Sequence, residues 1–388
     1  MSKKIFDSWC GQTLDEVLYQ CRELREDTDF PTVRAWRENG GKVLGHFQVY
    51  FPEEIAHAAG MLPVKMFGGN IQPDKADSRF GSYLCSIIKT SLELSLSDNI
   101  KLDAFVTHPI CDAARNLGAI WGRNYDYPCE TLYLPQNPNS AASIDYLCGE
   151  YGRLKRMLEK VSGVSVSDEA LRNSIGVFNR NRALLRELYE IKRETPEKLA
   201  AEDAYALVAI AGILPREEHN DLLEYVLPMI RAVDAKREDR IRVVFEGAFC
   251  EQPPFDMVRS IGRSAYIVAD DFMVGLRWIL SDVPQGNQPL HDLAHAYIED
   301  SSYSPVQHDL RKRKENMLLE RVREASADAV IVTAAKMCEP GLEEQVAYIQ
   351  GLEKAEIPFF VSEFEENQSS FSDLELQLET FMENLLFA

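Results

Sequence analysis

The chain has 388 residues, with 42 Lys plus Arg against 62 Asp plus Glu and a formal net charge of −20. Its length suggests two or three domains, and 45% hydrophobic with 27% charged residues is an ordinary globular balance that excludes wholesale disorder. The acid excess excludes a protein whose main partner is a nucleic-acid backbone, while leaving room for a local basic pocket.

In chain order, residues 1–40 are polar and helical, with Leu14, Val17, Leu18, Cys21 and Leu24 at helix spacing. A β-rich run begins at Lys42 and continues through Val43, Leu44 and His46 to Tyr50. Pro52 with Glu53 and Glu54 opens a helix that Gly60 closes. Leu62–Phe67 predicts a second strand, followed by Gly68 and Gly69; residues 86–96 predict a helix and Asp103–Thr107 a third strand. This strand–helix–strand rhythm points to a parallel α/β sheet.

Residues 142–238 change character, being rich in Leu, Glu, Arg and Lys at helical period, with turns at Ser162-Gly163 and Thr195-Pro196. β texture returns at Ile241, followed by a helix over Asp256–Gly262 and a strand from Ser264 that ends at Asp270 and Asp271. A charged helix over 306–325, a strand from Asp328, a helix over 341–355, a strand from Ile357 and an amphipathic helix from Ser372 complete the chain. The two halves repeat one pattern of elements with little residue identity. The expected architecture is α/β: a helical segment at 1–40, a first lobe at 41–141, a helical domain at 142–238, and a second lobe with a C-terminal helix at 239–388. The two lobes are expected to be similar parallel-sheet, flavodoxin-like units.

The longest uncharged apolar run, Ala204–Pro215, is 12 residues, short of the about 20 that a membrane span needs. The N-terminus meets Asp7 instead of an apolar segment, so no signal peptide is expected and the cytoplasm is the default compartment. A Walker-type phosphate loop, a Rossmann glycine fingerprint, a G-x-S-x-G elbow and an H-E-x-x-H motif are all absent from the sequence. If the reaction uses ATP or NAD, another chain binds it.

Eight cysteines stand at 10, 21, 85, 111, 129, 148, 250 and 338, and in a reducing compartment they are not a disulfide framework. Cys111 and Cys338 each follow a predicted strand, one per lobe, and ligands of open α/β sheets bind beyond the carboxyl ends of strands. Cys85 sits near the start of a helix, where the N-terminus stabilises a thiolate. Three thiolates from three elements could converge between the lobes to hold an iron–sulfur cluster with one non-cysteine corner. No C-x₂-C pair supports this, and the three lie 26 and 227 residues apart. Read locally, a buried small hydrophobe is the weightier account of each. Cys148, beside Ile144, Leu147 and Tyr151, reads as a core residue, and Cys10 and Cys21 as helix-face residues. Cys129, in a loop after Pro128, and Cys250, after a strand, are weaker candidates for ligands.

These residues and their surroundings resemble the 2-hydroxyacyl-CoA dehydratase and benzoyl-CoA reductase family. The opening segment is similar over Val49–Val64, and the later segments over Val244–Gly247, Ile261-Gly262, Asp270-Asp271, Gly275–Arg277 and Ile357–Val361. Within the family, Gly68-Gly69 and the stretch from Ile110 through Arg115 to Trp121 resemble most the gamma (C) subunits of ATP-dependent benzoyl-CoA reductases. The resemblance implies that Cys85, Cys111 and Cys338 are the ligands of a [4Fe–4S] cluster. It implies a subunit of a ferredoxin-linked enzyme that reduces the aromatic ring of an aroyl-CoA to a cyclic dienoyl-CoA by single electrons. The implied partners are a homologous cluster-carrying subunit, ATP-binding subunits that deliver electrons from ferredoxin, and the acyl-CoA substrate. A radical 2-hydroxyacyl-CoA dehydratase subunit and a non-catalytic electron relay are the alternatives. The tail Leu376–Asn384 lacks the Thr-Arg pair that many members carry, so no role near the C-terminus is carried over. His108 is a candidate proton donor or thiolate partner against a strand-end role. His57 is expected to be structural, and Asp112 is a further polar neighbour. The basic run Arg311–Lys314 is expected to be a solvated helix face rather than a CoA phosphate site.

Overall fold

Burial on both faces of a parallel sheet calls for continuous apolar runs rather than alternation. The strands follow that rule in the computed structural model, which describes residues 8–47, 50–81, 83–247, 253–271, 281–301 and 309–387. In the first lobe β1 (Lys42–His46), β2 (Met61–Lys65), β3 (Ala104–Thr107) and β4 (Cys129–Thr131) pair in the order β2-β1-β3-β4, every pair parallel. In the second, β5 (Ile241–Glu246), β6 (Ala265–Asp270), β7 (Ala329–Ala335) and β8 (Phe359–Phe364) pair as β6-β5-β7-β8, again all parallel. The two lobes therefore share one flavodoxin-like strand order. Every residue of β2, β3 and β7 is buried, whereas the edge strands β4 and β8 are half-exposed.

The N-terminal segment carries α1 (Leu14–Glu26) and α2 (Pro31–Glu38), and the first lobe α3 (Glu53–Ala58), α4 (Asp74–Asp77), α5 (Ser86–Leu96) and α6 (Asp112–Asn124). Between the sheets run α7 (Ser143–Ser162), α8 (Asp168–Glu194), α9 (Ala201–Ala209) and α10 (Arg216–Arg231). The second half carries α11 (Phe255–Ser264), α12 (Pro289–His295), α13 (Lys314–Glu324), α14 (Glu339–Lys354) and α15 (Ser372–Leu386). Local chemistry sets several ends: Thr13 and Glu16 form a capping box on α1, Ser167 caps α8, and Gly163 ends α7 in the left-handed region.

Helix α8, with 27 residues and so about 40 Å long, spans both lobes. Arg182 in its middle pairs with Glu54 of α3, and Lys192 near its end pairs with Asp270 at the end of β6. Segment 283–298 returns to the first lobe: Val283, Leu293 and Tyr297 share a core with Leu44, Tyr50 and Tyr151. The Tyr50 and Tyr297 rings meet edge-on at 5.2 Å. No described helix is long and apolar enough to cross a membrane.

Some local expectations change. Cys129 is not in a loop: it begins β4, whose three residues are too few to show periodicity. Cys10 lies exposed in the turn before α1 instead of on a helix face, while Cys21 is buried within α1. The charged helix begins only at Lys314, because the preceding residues form a turn closed by Asp309. Residues 306–308, Cys250, Gly275–Arg277, Val49 and Ser82 lie outside the described residues.

Candidate functional site

The three candidate cysteines occupy one kind of position: each is the N-cap of a helix. Cys85 caps the 11-residue α5, Cys111 the 13-residue α6 and Cys338 the 16-residue α14. An N-terminus presents unpaired backbone N–H groups and the positive end of the helix dipole, which favours an anionic thiolate by about 0.3–1 kcal/mol. At Cys111 this is a bond: the Ala114 N–H donates to Sγ at 3.4 Å. Cys85 and Cys338 are buried and Cys111 is half-buried.

The strands explain two of the three positions. Cys111 follows β3 and Cys338 follows β7, the strands that lie beside β1 and β5. In each lobe that is where the strand order reverses and the connections leave in opposite directions, opening a crevice at the carboxyl ends. The turn into Cys338 is tight: Met337 adopts φ 61°, and the Cys338 N–H donates back to the Ala335 carbonyl at 3.1 Å. A Cβ on Gly341 would press on Cys338 Sγ, so the first turn of α14 packs closely around the sulfur.

Burial raises the Cys111 thiol above its ordinary value, the N–H groups of Ala114 and Ala113 oppose this, and the Cys338 charge raises it further. The last effect couples sulfur-bearing residues of different lobes. Cys21, expected on a helix face, and Cys129, a weaker ligand candidate, are both held protonated: burial pushes Cys21 up to about 12 and Cys129 up to about 11. Burial also raises the half-buried Cys148.

The donor set suits an iron–sulfur group better than a hard cation, because it offers soft thiolates at anion-favouring helix ends. Among the described residues no group of three or more His, Cys, Asp or Glu gathers as around a single metal ion. A cubane asks for something looser, since each thiolate binds a different iron.

The other candidates resolve into structural ties. His108 is buried and hydrogen-bonds through Nδ1 to the Leu132 carbonyl at 3.1 Å, so that nitrogen carries the proton; burial takes its pKa down to about 4 and keeps the ring neutral. His57 bridges Ser174 at 2.8 Å and Glu217 at 2.9 Å. Ser174 is buried and donates to the Glu54 carbonyl, so this row of groups binds α3 to α8 and α10 and is no nucleophile system. Asp112 is exposed in the first turn of α6, near Arg115. In the basic run Arg311 engages Asp309 and Glu299, Lys312 donates to the carbonyls of Ile298 and Ser301, Arg313 pairs with Glu315, and Lys314 with buried Glu344. The run is solvent-facing at Arg311 and Arg313, as expected, but lies in the turn before α13 instead of along a helix.

A cavity of about 170 Å³ lies between the lobes among Arg25, Gly68, Tyr205, Phe255, Glu366 and Gln368. A larger hollow of about 510 Å³ beside Lys236, Arg240 and Tyr266 lies at the amino ends of β5 and β6, away from the strand ends that lead to the cysteines. Sequence reasoning missed Glu366 and the buried ion pairs, whose partners stand far apart in the chain.

Known proteins include close matches along nearly the whole chain. It is 33% identical to the C-type subunit of the Thauera aromatica benzoyl-CoA reductase over 378 residues, which is 95% of this chain and 98% of that one. It is 28% identical to the beta subunit of lactoyl-CoA dehydratase of Anaerotignum propionicum, covering 90% of this chain and 93% of that one. To the beta subunit of the (R)-2-hydroxyglutaryl-CoA dehydratase of Acidaminococcus fermentans it is 25% identical, with 90% and 94% covered. Residues 48–385 match the family described as 2-hydroxyglutaryl-CoA dehydratase, D-component, and the chain belongs to that family.

Proposed function

We propose that this chain is the cluster-carrying C-type subunit of an ATP-dependent, ferredoxin-linked benzoyl-CoA reductase, working in the cytoplasm of an anaerobic aromatic degrader. Cys85, Cys111 and Cys338 hold a [4Fe–4S] group whose remaining corner is left to another ligand. When bound, such a group supplies single-electron transfer. The aromatic ring of an aroyl-CoA takes up two electrons and two protons and becomes a cyclic dienoyl-CoA. Ferredoxin is the electron source, acting through ATP-binding subunits, and a homologous sister chain makes up the rest of the catalytic module. This chain's own contribution is to hold thiolates at three helix N-termini and to shield them by burial.

The observation that carries the reading is the shared N-cap position of the three cysteines, two of them at equivalent strand ends of the two lobes. The likeness to the Thauera aromatica protein supports the reductase over its alternative. A 2-hydroxyacyl-CoA dehydratase subunit is the second reading, favoured by the family description and the lactoyl-CoA relative. There an electron is injected, water leaves, and the electron is recovered.

Iron content and the electron paramagnetic resonance spectrum of anaerobically purified protein, with and without its sister subunit, test the ligands. Cys85→Ser, Cys111→Ser and Cys338→Ser should each lose most of the iron, and Cys148→Ala should keep it. Equal loss in all four would sink the assignment. Reductant consumed in proportion to product marks a reductase; reductant needed only in catalytic amount marks a dehydratase.

A further inference from the structure

The helix that carries Cys85 is gripped from the other lobe. Glu366 stands two residues beyond the end of β8 and is buried. Its carboxyl meets two groups of the first lobe. The Gly68 N–H donates to Oε1 at 3.1 Å, and the Thr90 hydroxyl on α5 lies 3.1 Å from Oε2. The backbone N–H of Glu366 donates to Ser86 Oγ at 3.2 Å. Ser86 is the first residue of α5 and Thr90 lies one turn later, so both contacts fall on the turn that Cys85 caps.

The fit is close. A Cβ at position 68 would collide with both the Thr90 hydroxyl and the Glu366 carboxyl, so only glycine allows this approach. Arg25 lies 3.6 Å from the Phe67 ring centroid, and its charge reaches Glu366. Burial raises the Glu366 carboxyl above the ordinary range, opposed by Arg25, Thr90, Gly68 and Lys65. The carboxyl accepts from the Gly68 N–H and from the Thr90 hydroxyl, which also lies 3.0 Å from the Ser86 carbonyl, so both carboxyl oxygens have a partner on the first lobe.

We propose that Glu366 is a positioning residue that clamps the first turn of α5 across the cleft and so aims Cys85 at the site shared with Cys111 and Cys338. The inference rests on the reading that the three cysteines share one cofactor. Its basis is elementary: the buried Glu366 contacts tie the first turn of α5 to the opposite lobe, and a buried partner left without its hydrogen bond is costly.

The test uses the full chain with its partner, in metal-free and iron-loaded forms. In metal-free protein, thiol alkylation is followed cysteine by cysteine with mass spectrometry. Glu366→Ala should speed alkylation of Cys85 about tenfold, the size expected from losing the one carboxyl bond that reaches α5, with Cys111 and Cys338 little changed. Glu366→Gln keeps an acceptor for Gly68 and offers Thr90 an amide N–H, with the Thr90 hydroxyl turning to the Ser86 carbonyl, and should restore the wild-type rate. Thr90→Val, of nearly equal volume, should move Cys85 in the same direction if Glu366→Ala does not fold. In loaded protein, Glu366→Ala should alter the resonance spectrum and midpoint potential, and Glu366→Gln should not. An unchanged Cys85 rate in folded Glu366→Ala or Thr90→Val overturns the clamp. Absence of iron from wild type as well would instead overturn the shared cofactor, leaving the thiol rates to judge the clamp.

Discussion

The two lobes share a strand order but end their first strand differently, on a histidine in one and a glutamate in the other. In the first lobe β1 ends at His46, which is buried, stacks on Phe51 at 4.7 Å and bonds Glu53 at 2.8 Å. Glu53 is paired with Arg216 of α10, so this end is tied to the helices between the sheets. In the second lobe β5 ends at Glu246, which pairs with Arg321 of α13, within the same half of the chain. After His46 comes the bulky Phe47; after Glu246 comes Gly247, at φ 111°, where a Cβ would strike the Thr333 carbonyl. What the lobes keep in common is a cysteine at a helix N-cap after the third strand. The repeated part is therefore the part the proposed chemistry uses, and the divergent part is how each lobe is anchored.

Helix α8 offers the sharpest break of that comparison, because it holds each lobe by a buried ion pair. Removing one partner of such a pair leaves an uncompensated charge, at a cost of about 3–5 kcal/mol. Arg182→Met should cost the upper part of that range, and Lys192→Met less, since Asp270 keeps the Tyr189 hydroxyl at 2.6 Å. Denaturant midpoints measure the totals, and hydrogen exchange should show the first lobe opening in Arg182→Met and the second in Lys192→Met. Equal exchange in both lobes for both variants would mean that α8 does not anchor them separately.

Acid should separate the lobes next. His108 has a folded pKa of about 4, below its ordinary value of 6.5. The unfolded state binds the proton first, so stability falls as pH drops from about 6.5 toward 4, by up to about 3 kcal/mol. Glu53 acts lower: burial alone would raise its carboxyl, but Arg216 and His46 outweigh it and hold it at about 2, so its contribution is lost below the ordinary value of 4.5. Strands β5 to β8 and helices α11, α13, α14 and α15 contain no histidine. Exchange at pH 5 should thus quicken in β1 and β3 before β5 and β7; simultaneous loss would contradict the assignment. His108→Asn should blunt the difference.

The smallest effect is expected from the basic run. Arg311 is about half exposed, and exposed pairs are worth about 0–1 kcal/mol. Arg311→Ala should leave the thermal midpoint and the acyl-CoA affinity of the assembled enzyme nearly unchanged. A large loss of affinity would bring back a phosphate-binding role for this segment.

Much of the fold was legible because parallel strands and helix starts announce themselves locally. The buried run Ala329–Ala335 reads as a strand from its composition alone, and residues 86–96 as a helix. Cysteine after a strand was legible for the same reason, and so was the position of Cys85 near a helix start. Strand β4 was not, being three residues long on a half-exposed edge. Nor was the return of Leu293 and Tyr297 to the first lobe's core, since an apolar helix face does not say which lobe will cover it.

The sequence by itself determined where strands and helices begin and which cysteines stand at their junctions, because capping, turn chemistry and burial on both faces act over a few residues. Only the tertiary structure decided what faces what. Glu53 finds Arg216 across 163 residues, Glu54 finds Arg182 across 128, and Glu366 finds Thr90 across 276. Such pairs leave no periodic trace: a charge is soluble anywhere on a chain, and it becomes a lock only when folding removes water from both partners at once.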